Sequence, residues 1–346
     1  MKAMVLERIA PIHDRPLALR ELPDPRPAPN ELLVRVTACG VCRTDLHVIE
    51  GDLPSPRLPR VPGHQIVGVV RETGQACRTF APGDRVGIAW LRGTCGECDA
   101  CRAGRENLCA ASRYTGYHAD GGYAELALVP ETFAYPMPAG FGDVLAAPLL
   151  CAGIIGYRAL QRCELSAGGR LGLYGFGSSA HVVLQLARHR GCEVYVMTRG
   201  ESHRALARRM GADWVGEARD APPRPLDAAI VFAPAGEIVP PALRALGRGG
   251  TAVLAGIHMS PVPELSYEEH LFHEKTLRSV EANTREDGRS LLEEAAEVPI
   301  EARVTTFRLE EANEVLVRLK EDGIDGSAVL LPGGARGTGA TASAEA

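Results

Sequence analysis

The sequence predicts an α/β chain in which a β-rich first domain is followed by a domain with a parallel sheet, and three observations carry that reading. Short apolar strands in the first third are separated by turn clusters such as PSPRLPRVPG and APGD. From about Ala152 strands alternate with helices, a rhythm that implies right-handed βαβ units of the dinucleotide-binding kind. With 346 residues, 45% of them hydrophobic, the chain can fill about two domain cores of ordinary size.

Taken in order, the first region predicts strands at 31–37, 66–71 and 85–89. The second predicts a strand at 170–174, a helix at 178–190 closed by Gly191, a strand at 193–198 and a helix at 202–210 closed by Gly211. Further strands are expected at 228–232 and 251–255. After about Arg285 come a helix, a strand near 303–307, a helix at 309–321 and a last strand near 328–331, which are expected to rejoin the first domain. The final GGARGTGATASAEA is too poor in apolar residues to order itself and reads as a flexible tail.

The net charge of -5, with basic residues scattered, excludes an electrostatic footprint for nucleic acid or anionic membranes, so small molecules are the expected partners. No apolar run approaches the roughly 20 residues of a membrane span, and MKAMVLERIAPIHDRP lacks a signal peptide's apolar stretch. A cytoplasmic setting is therefore expected. There the ten cysteines are reduced thiols or metal ligands.

Cys95, Cys98, Cys101 and Cys109 are spaced C-x2-C-x2-C-x7-C, with Gly93, Gly96 and Gly104 easing the bends. Four thiolates close a tetrahedral zinc site with no position left for substrate, which makes it structural. Free thiols, a redox pair or an iron–sulfur cluster are the alternatives, and zinc is favoured over them. Three separate segments offer Cys42 in ACGVCRTDLH, His64 in PGHQIVG and Cys151 in PLLCAGIIGY. Two sulfurs and one imidazole leave a fourth tetrahedral position open, the requirement of a catalytic zinc. Each also has a plain reading, Cys151 as a small buried hydrophobe and His64 as a turn residue.

Gly175-x-Gly177-x-x-Ala180 falls where an apolar strand meets a helix. Gly175 permits the tight turn, Gly177 admits a pyrophosphate to the backbone, and Ala180 lets helix and strand pack closely. Where an NAD site usually places an acid after the next strand, this chain has Thr198, followed by Arg199, Ser202 and Arg204. A hydroxyl and two arginines suit a 2′-phosphate, so NADP(H) is the preferred cofactor, with NAD(H) as the alternative.

GVCRTDLH, the GH pair, the four-cysteine loop, the later cysteine and the Gly-rich turn, in this order, resemble the medium-chain, zinc-dependent alcohol dehydrogenase family up to about Leu331. The resemblance implies a GroES-like catalytic domain over 1–151, a Rossmann domain over 152–285, a return to the catalytic domain over 286–332 and a tail at 333–346. It implies a catalytic zinc on Cys42, His64 and Cys151 and a structural zinc on the four-cysteine loop. Cys39, Cys77, Cys163 and Cys192 are not ligands in this reading. Asp45 matches the carboxylate that orients the metal-bound histidine. Thr44 and His47 match a proton relay that carries the alcohol proton out through the cofactor ribose. Arg43 matches a pyrophosphate contact, and Gly256 and Ile257 match the segment passing the nicotinamide.

Trp90, Leu91 and Leu150 resemble pocket-lining positions, an apolar wall suited to an alcohol or aldehyde with few hydroxyls. Two residues depart from the pattern: Gln65 stands where many members have Glu, and Ser327 where many have an arginine that assists the pyrophosphate. The expected activity is hydride transfer between NADP(H) or NAD(H) and a primary alcohol or aldehyde, by a homodimer or homotetramer. A polyol or amino-alcohol substrate, or a non-catalytic cofactor-binding member of the same fold, are the alternatives.

Overall fold

The fold is that of a computed structural model, which describes residues 1–334 apart from Ser55, Pro299, Glu301, Ala302 and Asp325. The chain separates into two compact units. One comprises Met1–Cys151, Thr284–Ala296 and the described residues from 303 onward; the other is built on Ala152–Asn283. The chain thus re-enters the first unit at Thr284 rather than at 286. Of the expected tail only Gly333 and Gly334 are described, and Gly334 turns back to the Leu331 carbonyl. Residues 335–346 lie outside the described residues.

The first unit centres on a seven-stranded sheet whose longest member, Glu31–Val41, pairs antiparallel with Gln65–Thr73, Leu126–Pro130 and Ser327–Leu331. This strand runs past the predicted end at 37. A register shift between Val36 and Ala38 absorbs Thr37, whose hydroxyl donates to the Val67 carbonyl at 2.9 Å, and the small residues Ala38, Cys39 and Gly40 continue the pairing. That extension is what delivers Cys42 to the end of the sheet. Val304–Arg308 lies parallel to Ser327–Leu331, so the C-terminal segment completes the first unit's sheet. The hairpin of Lys2–Leu6 with Leu17–Glu21 was not foreseen.

The second unit is a six-stranded, all-parallel sheet in the order Trp214–Gly216, Glu193–Met197, Arg170–Tyr174, Leu226–Val231, Leu246–Leu254, Thr276–Ser279. Its inner strands read as continuous apolar runs because both faces are covered. The helices Ser178–His189 and Glu201–Arg209 each give way to a glycine in the left-handed region, Gly191 at φ 75° and Gly211 at φ 89°. Two expectations change. The strand predicted at 251–255 starts at Leu246, because Gly249, at φ 72°, bends the chain without ending the strand. The helix predicted at 309–321 opens as the 3-10 turn Leu309–Glu311 and becomes α-helical at Ala312–Lys320, with Glu311 accepting the Arg308 N–H at 2.7 Å. No single helix among the described residues is long and apolar enough to cross a membrane.

Candidate functional site

Cys42 follows the long strand and stands at the N-terminus of the helix Arg43–Glu50. Three residues on, the Asp45 carboxylate accepts the Cys42 N–H at 2.9 Å, a helix-capping bond that also fixes where that carboxylate points. Its other oxygen lies 3.0 Å from Nδ1 of His64. His64 immediately precedes the strand Gln65–Thr73 and is fully buried, and its Nε2 has no hydrogen-bond partner. Cys151 comes from a distant place, the end of the 3-10 turn Ala147–Leu150. Its sulfur is nevertheless 3.9 Å from that of Cys42, although the two residues are 109 apart in sequence.

The ligand atoms of Cys42, His64 and Cys151 all lie within 4.8 Å of one another. A buried imidazole nitrogen without a partner is costly unless a ligand satisfies it, and two sulfurs beside it form the donor set zinc prefers. The residues present therefore fit a zinc ion with an open position. Burial opposes charge on His64, yet Asp45, through its charge and its hydrogen bond, and Cys42 raise the imidazole to about 10.

The other predicted residues of this centre are placed as follows. Thr44 is buried, its hydroxyl 3.6 Å from the Cys42 sulfur. His47, one helical turn further, has Nδ1 2.8 Å from Asp52. Asp52 was missed in the sequence, where it reads only as part of the turn after Gly51. Trp90 and the His64 ring meet in a T-shaped arrangement, centroids 4.9 Å apart, and Trp90 stacks on Tyr114 and Tyr117. Leu91 and Leu150 are core side chains, Leu150 filling the space over Gly87. Gln65 is buried, and only a glycine at position 40 leaves room for its amide.

Arg43 is ion-paired with Asp322, so the guanidinium expected at a pyrophosphate already has a carboxylate partner. Asp322 was not singled out in the sequence.

The four-cysteine lobe brings Cys95, Cys98, Cys101 and Cys109 within 4.8 Å of one another. Gly96 at φ 78° and Gly104 at φ 65° make its bends. Backbone N–H groups point at sulfur, Cys98 to Cys95 at 3.3 Å and Cys95 to Cys109 at 3.4 Å. N–H groups of Glu97 and Cys98, with the Cys109 thiol, lower Cys95 to about 6. Against the Cys101 N–H, the Cys101 thiol and burial push Cys98 the other way, up to about 11, so Cys95 is the sulfur these neighbours favour as a thiolate. Cys39, Cys77, Cys163 and Cys192 fall in neither cluster; burial pushes Cys163 up to about 12, leaving it an inert thiol.

In the second unit, Gly175 adopts φ 93°, as the tight turn requires, and a Cβ on Gly177 would meet nothing within 4 Å. Ala180 is fully buried against the sheet. Gly177 is the N-cap of the helix Ser178–His189, whose N-terminus carries the positive end of the helix dipole. Thr198 is buried, its N–H held by the Gly216 carbonyl at 2.9 Å. Arg199 and Ser202 are exposed beside it. Arg204, expected to meet a 2′-phosphate, is instead committed to two carboxylates, Glu201 at 3.1 Å and Glu217 at 2.9 Å. Sequence could not show this, since Glu217 reaches it from beyond the next strand. Gly256 and Ile257 follow the strand Leu246–Leu254, and Ile257 is 51% exposed.

Residues 28–139 match the family model of the alcohol dehydrogenase GroES-like domain, and residues 180–297 that of the zinc-binding dehydrogenases. A Mycobacterium tuberculosis protein named "Probable alcohol dehydrogenase AdhA" is 54% identical over 96% of this chain and 97% of its own. An alcohol dehydrogenase of Geobacillus stearothermophilus is 35% identical over 95% of this chain and 99% of its own. Among solved structures, a cinnamyl alcohol dehydrogenase from Sorghum bicolor superposes with a TM-score of 0.88 at 27% identity, covering 97% of this chain and 98% of that one. Their extent and the two ligand clusters lead to one conclusion: the chain belongs to the zinc-dependent alcohol dehydrogenases of the medium-chain dehydrogenase/reductase family.

Proposed function

We propose that this enzyme transfers a hydride between NADP(H) and a primary alcohol or aldehyde, with one catalytic and one structural zinc in each subunit. The observation that carries the reading is the partnerless, buried Nε2 of His64 beside the sulfurs of Cys42 and Cys151. When bound there, zinc supplies a Lewis acid for the substrate oxygen. Asp45 holds the His64 ring so that Nε2 is the atom presented. Thr44, whose hydroxyl lies beside Cys42, takes the alcohol proton, and His47 passes it to water. Asp52 on Nδ1 stabilises the imidazolium that this transfer creates. Trp90 forms the apolar wall.

The first unit is the catalytic part, and the second receives the dinucleotide at Gly175, Gly177 and Ala180, with Gly256 and Ile257 along the nicotinamide. NADP(H) is favoured over NAD(H) because no carboxylate stands at Thr198 and Arg199 is exposed beside it. With Arg204 held by Glu201 and Glu217, Arg199 and Ser202 carry the 2′-phosphate. Val262, Tyr267 and Phe272, all exposed on the second unit, support a homodimer or homotetramer. A cytoplasmic setting keeps the thiols reduced.

Metal analysis together with steady-state kinetics on a panel of alcohols and aldehydes tests this reading. Zinc at both clusters and a higher kcat/KM with NADP than with NAD are expected. A higher kcat/KM with NAD overturns the cofactor assignment, and a preference for polyols or amino alcohols overturns the substrate class.

A further inference from the structure

Asp45 is 2% exposed, and a carboxylate so deeply buried must have its oxygens satisfied. One oxygen faces His64 Nδ1 at 3.0 Å. The other accepts two donors, the Cys42 N–H at 2.9 Å and the phenolic hydroxyl of Tyr123 at 3.0 Å. Tyr123 lies well away from every segment that supplies a ligand, and its side chain is fully buried.

The backbone around Tyr123 is tied to the segment that delivers His64. Gly121 N–H donates to the Val61 carbonyl at 2.8 Å, Gly122 N–H to Gly63 at 2.9 Å and Tyr123 N–H to Pro62 at 3.0 Å. Gly63 adopts φ 95°, and a Cβ there would come within 2.4 Å of the Tyr123 ring, so the ring packs directly on the residue before His64. Tyr123 is therefore attached by its main chain to the histidine's segment and by its hydroxyl to the carboxylate on the cysteine's helix. Burial pushes the Tyr123 hydroxyl well above its ordinary range, so it stays protonated as a donor to Asp45.

We propose that Tyr123 is a positioning residue of the Cys42–His64–Cys151 centre, its hydroxyl locking Asp45 in the rotamer that presents His64 Nε2 to the metal. This rests on the reading of that cluster as the catalytic zinc site. The bond removes a degree of freedom from Asp45 that the Cys42 N–H alone leaves open, and a carboxylate fixed at both oxygens fixes the imidazole plane and tautomer. The role is separate from core packing, because a phenyl ring fills the same space.

Tyr123→Phe tests the proposal. It keeps the ring and leaves the shared Asp45 oxygen with its Cys42 N–H, so the fold has no orphaned group to reject. Zinc release from the full-length protein to excess chelator is followed for both ions, the four-cysteine zinc serving as the internal control. Release from the catalytic site is expected about tenfold faster than in the wild type, with release from the four-cysteine lobe unchanged. In cadmium-substituted protein, NMR should show the signal of the two-sulfur, one-nitrogen site shifted and that of the four-sulfur site unmoved. Equal release rates in variant and wild type, with an unshifted cadmium signal, overturn the proposal. Equal acceleration at both sites also overturns it, since that is the mark of a packing defect. Absence of zinc from the Cys42 cluster of the wild type overturns the reading of the centre and this proposal with it.

Discussion

The first unit holds two sulfur-rich clusters made in opposite ways. The four-cysteine lobe draws every ligand from one short run of chain, bends it with glycines at positive φ, and leaves Cys95 exposed. Its sulfurs are held by neighbouring backbone N–H groups. The other cluster takes Cys42 from the end of a long strand, His64 from the start of its partner and Cys151 from a 3-10 turn, and it buries the imidazole completely. Around it stand Asp45, Tyr123 and Trp90. A closed site can be local because its task ends with the metal. An open site must hold its ligands apart from solvent yet leave a position free, and only the tertiary fold can arrange that.

The largest expected effect follows from that contrast. Cys42→Ala should reduce turnover to background and remove the catalytic ion, while the melting temperature stays within a few degrees of wild type, because the sheet and the lobe do not depend on that ion. Calorimetry and metal analysis on the purified variant check it. Undiminished turnover would end the assignment of Cys42.

The reverse pattern is expected in the lobe. Cys95→Ser should cost the structural ion and lower the melting temperature by roughly 10 °C, an order of magnitude set by the loss of a few kcal/mol in a domain of this size. The kcat of the fraction still folded at low temperature should be close to wild type. Lost turnover without lost stability would dissolve the distinction between the clusters.

A smaller effect concerns how the lobe is anchored. Glu106, just before Cys109, is buried and accepts the backbone N–H of Arg285 at 3.0 Å and its guanidinium at 3.2 Å. Burial alone would raise the Glu106 carboxyl, but these bonds outweigh it and hold the group below its ordinary range. A depressed carboxyl stabilises the fold above the unfolded-state value and loses that contribution as pH falls through the folded one. Glu106→Gln should therefore destabilise by about 1–2 kcal/mol at neutral pH, with the gap to wild type closing in acid below the carboxylate range. Denaturant melts across pH measure it, and a gap that widens in acid would contradict the assignment.

How much of each cluster could be read in the sequence follows the same division. The spacing of Cys95, Cys98, Cys101 and Cys109 is itself the site, and nothing beyond the local chain is needed to see it. Cys42, His64 and Cys151 could be joined only through resemblance, because their proximity depends on strand pairing and a turn that no local pattern encodes. Asp52 and Tyr123 escaped notice for the same reason: one reads as a turn residue and the other as an aromatic in an apolar stretch. In the second unit the βαβ rhythm and the Gly175 turn were legible, since parallel strands buried on both faces are continuous apolar runs. Arg204 misled, because its partner Glu217 lies outside the window in which a phosphate site is sought.

The smallest effect sets two surface ion pairs against each other, each beside a ligand cysteine. Arg102, next to Cys101, pairs with Asp99 at 2.9 Å; Arg43, next to Cys42, pairs with Asp322. Both pairs are largely exposed, so each contributes less than about 1 kcal/mol. Breaking them should still have unequal consequences if Arg43 is a pyrophosphate contact, as the family resemblance implies, because the lobe receives no ligand after its metal. Asp322→Asn releases the Arg43 guanidinium and should lower the KM for the cofactor about two- to threefold, with kcat unchanged. Asp99→Asn should leave cofactor KM, kcat and zinc content where they were. If both variants behave alike, Arg43 has no part in pyrophosphate binding, which then falls to the turn at Gly175 and Gly177.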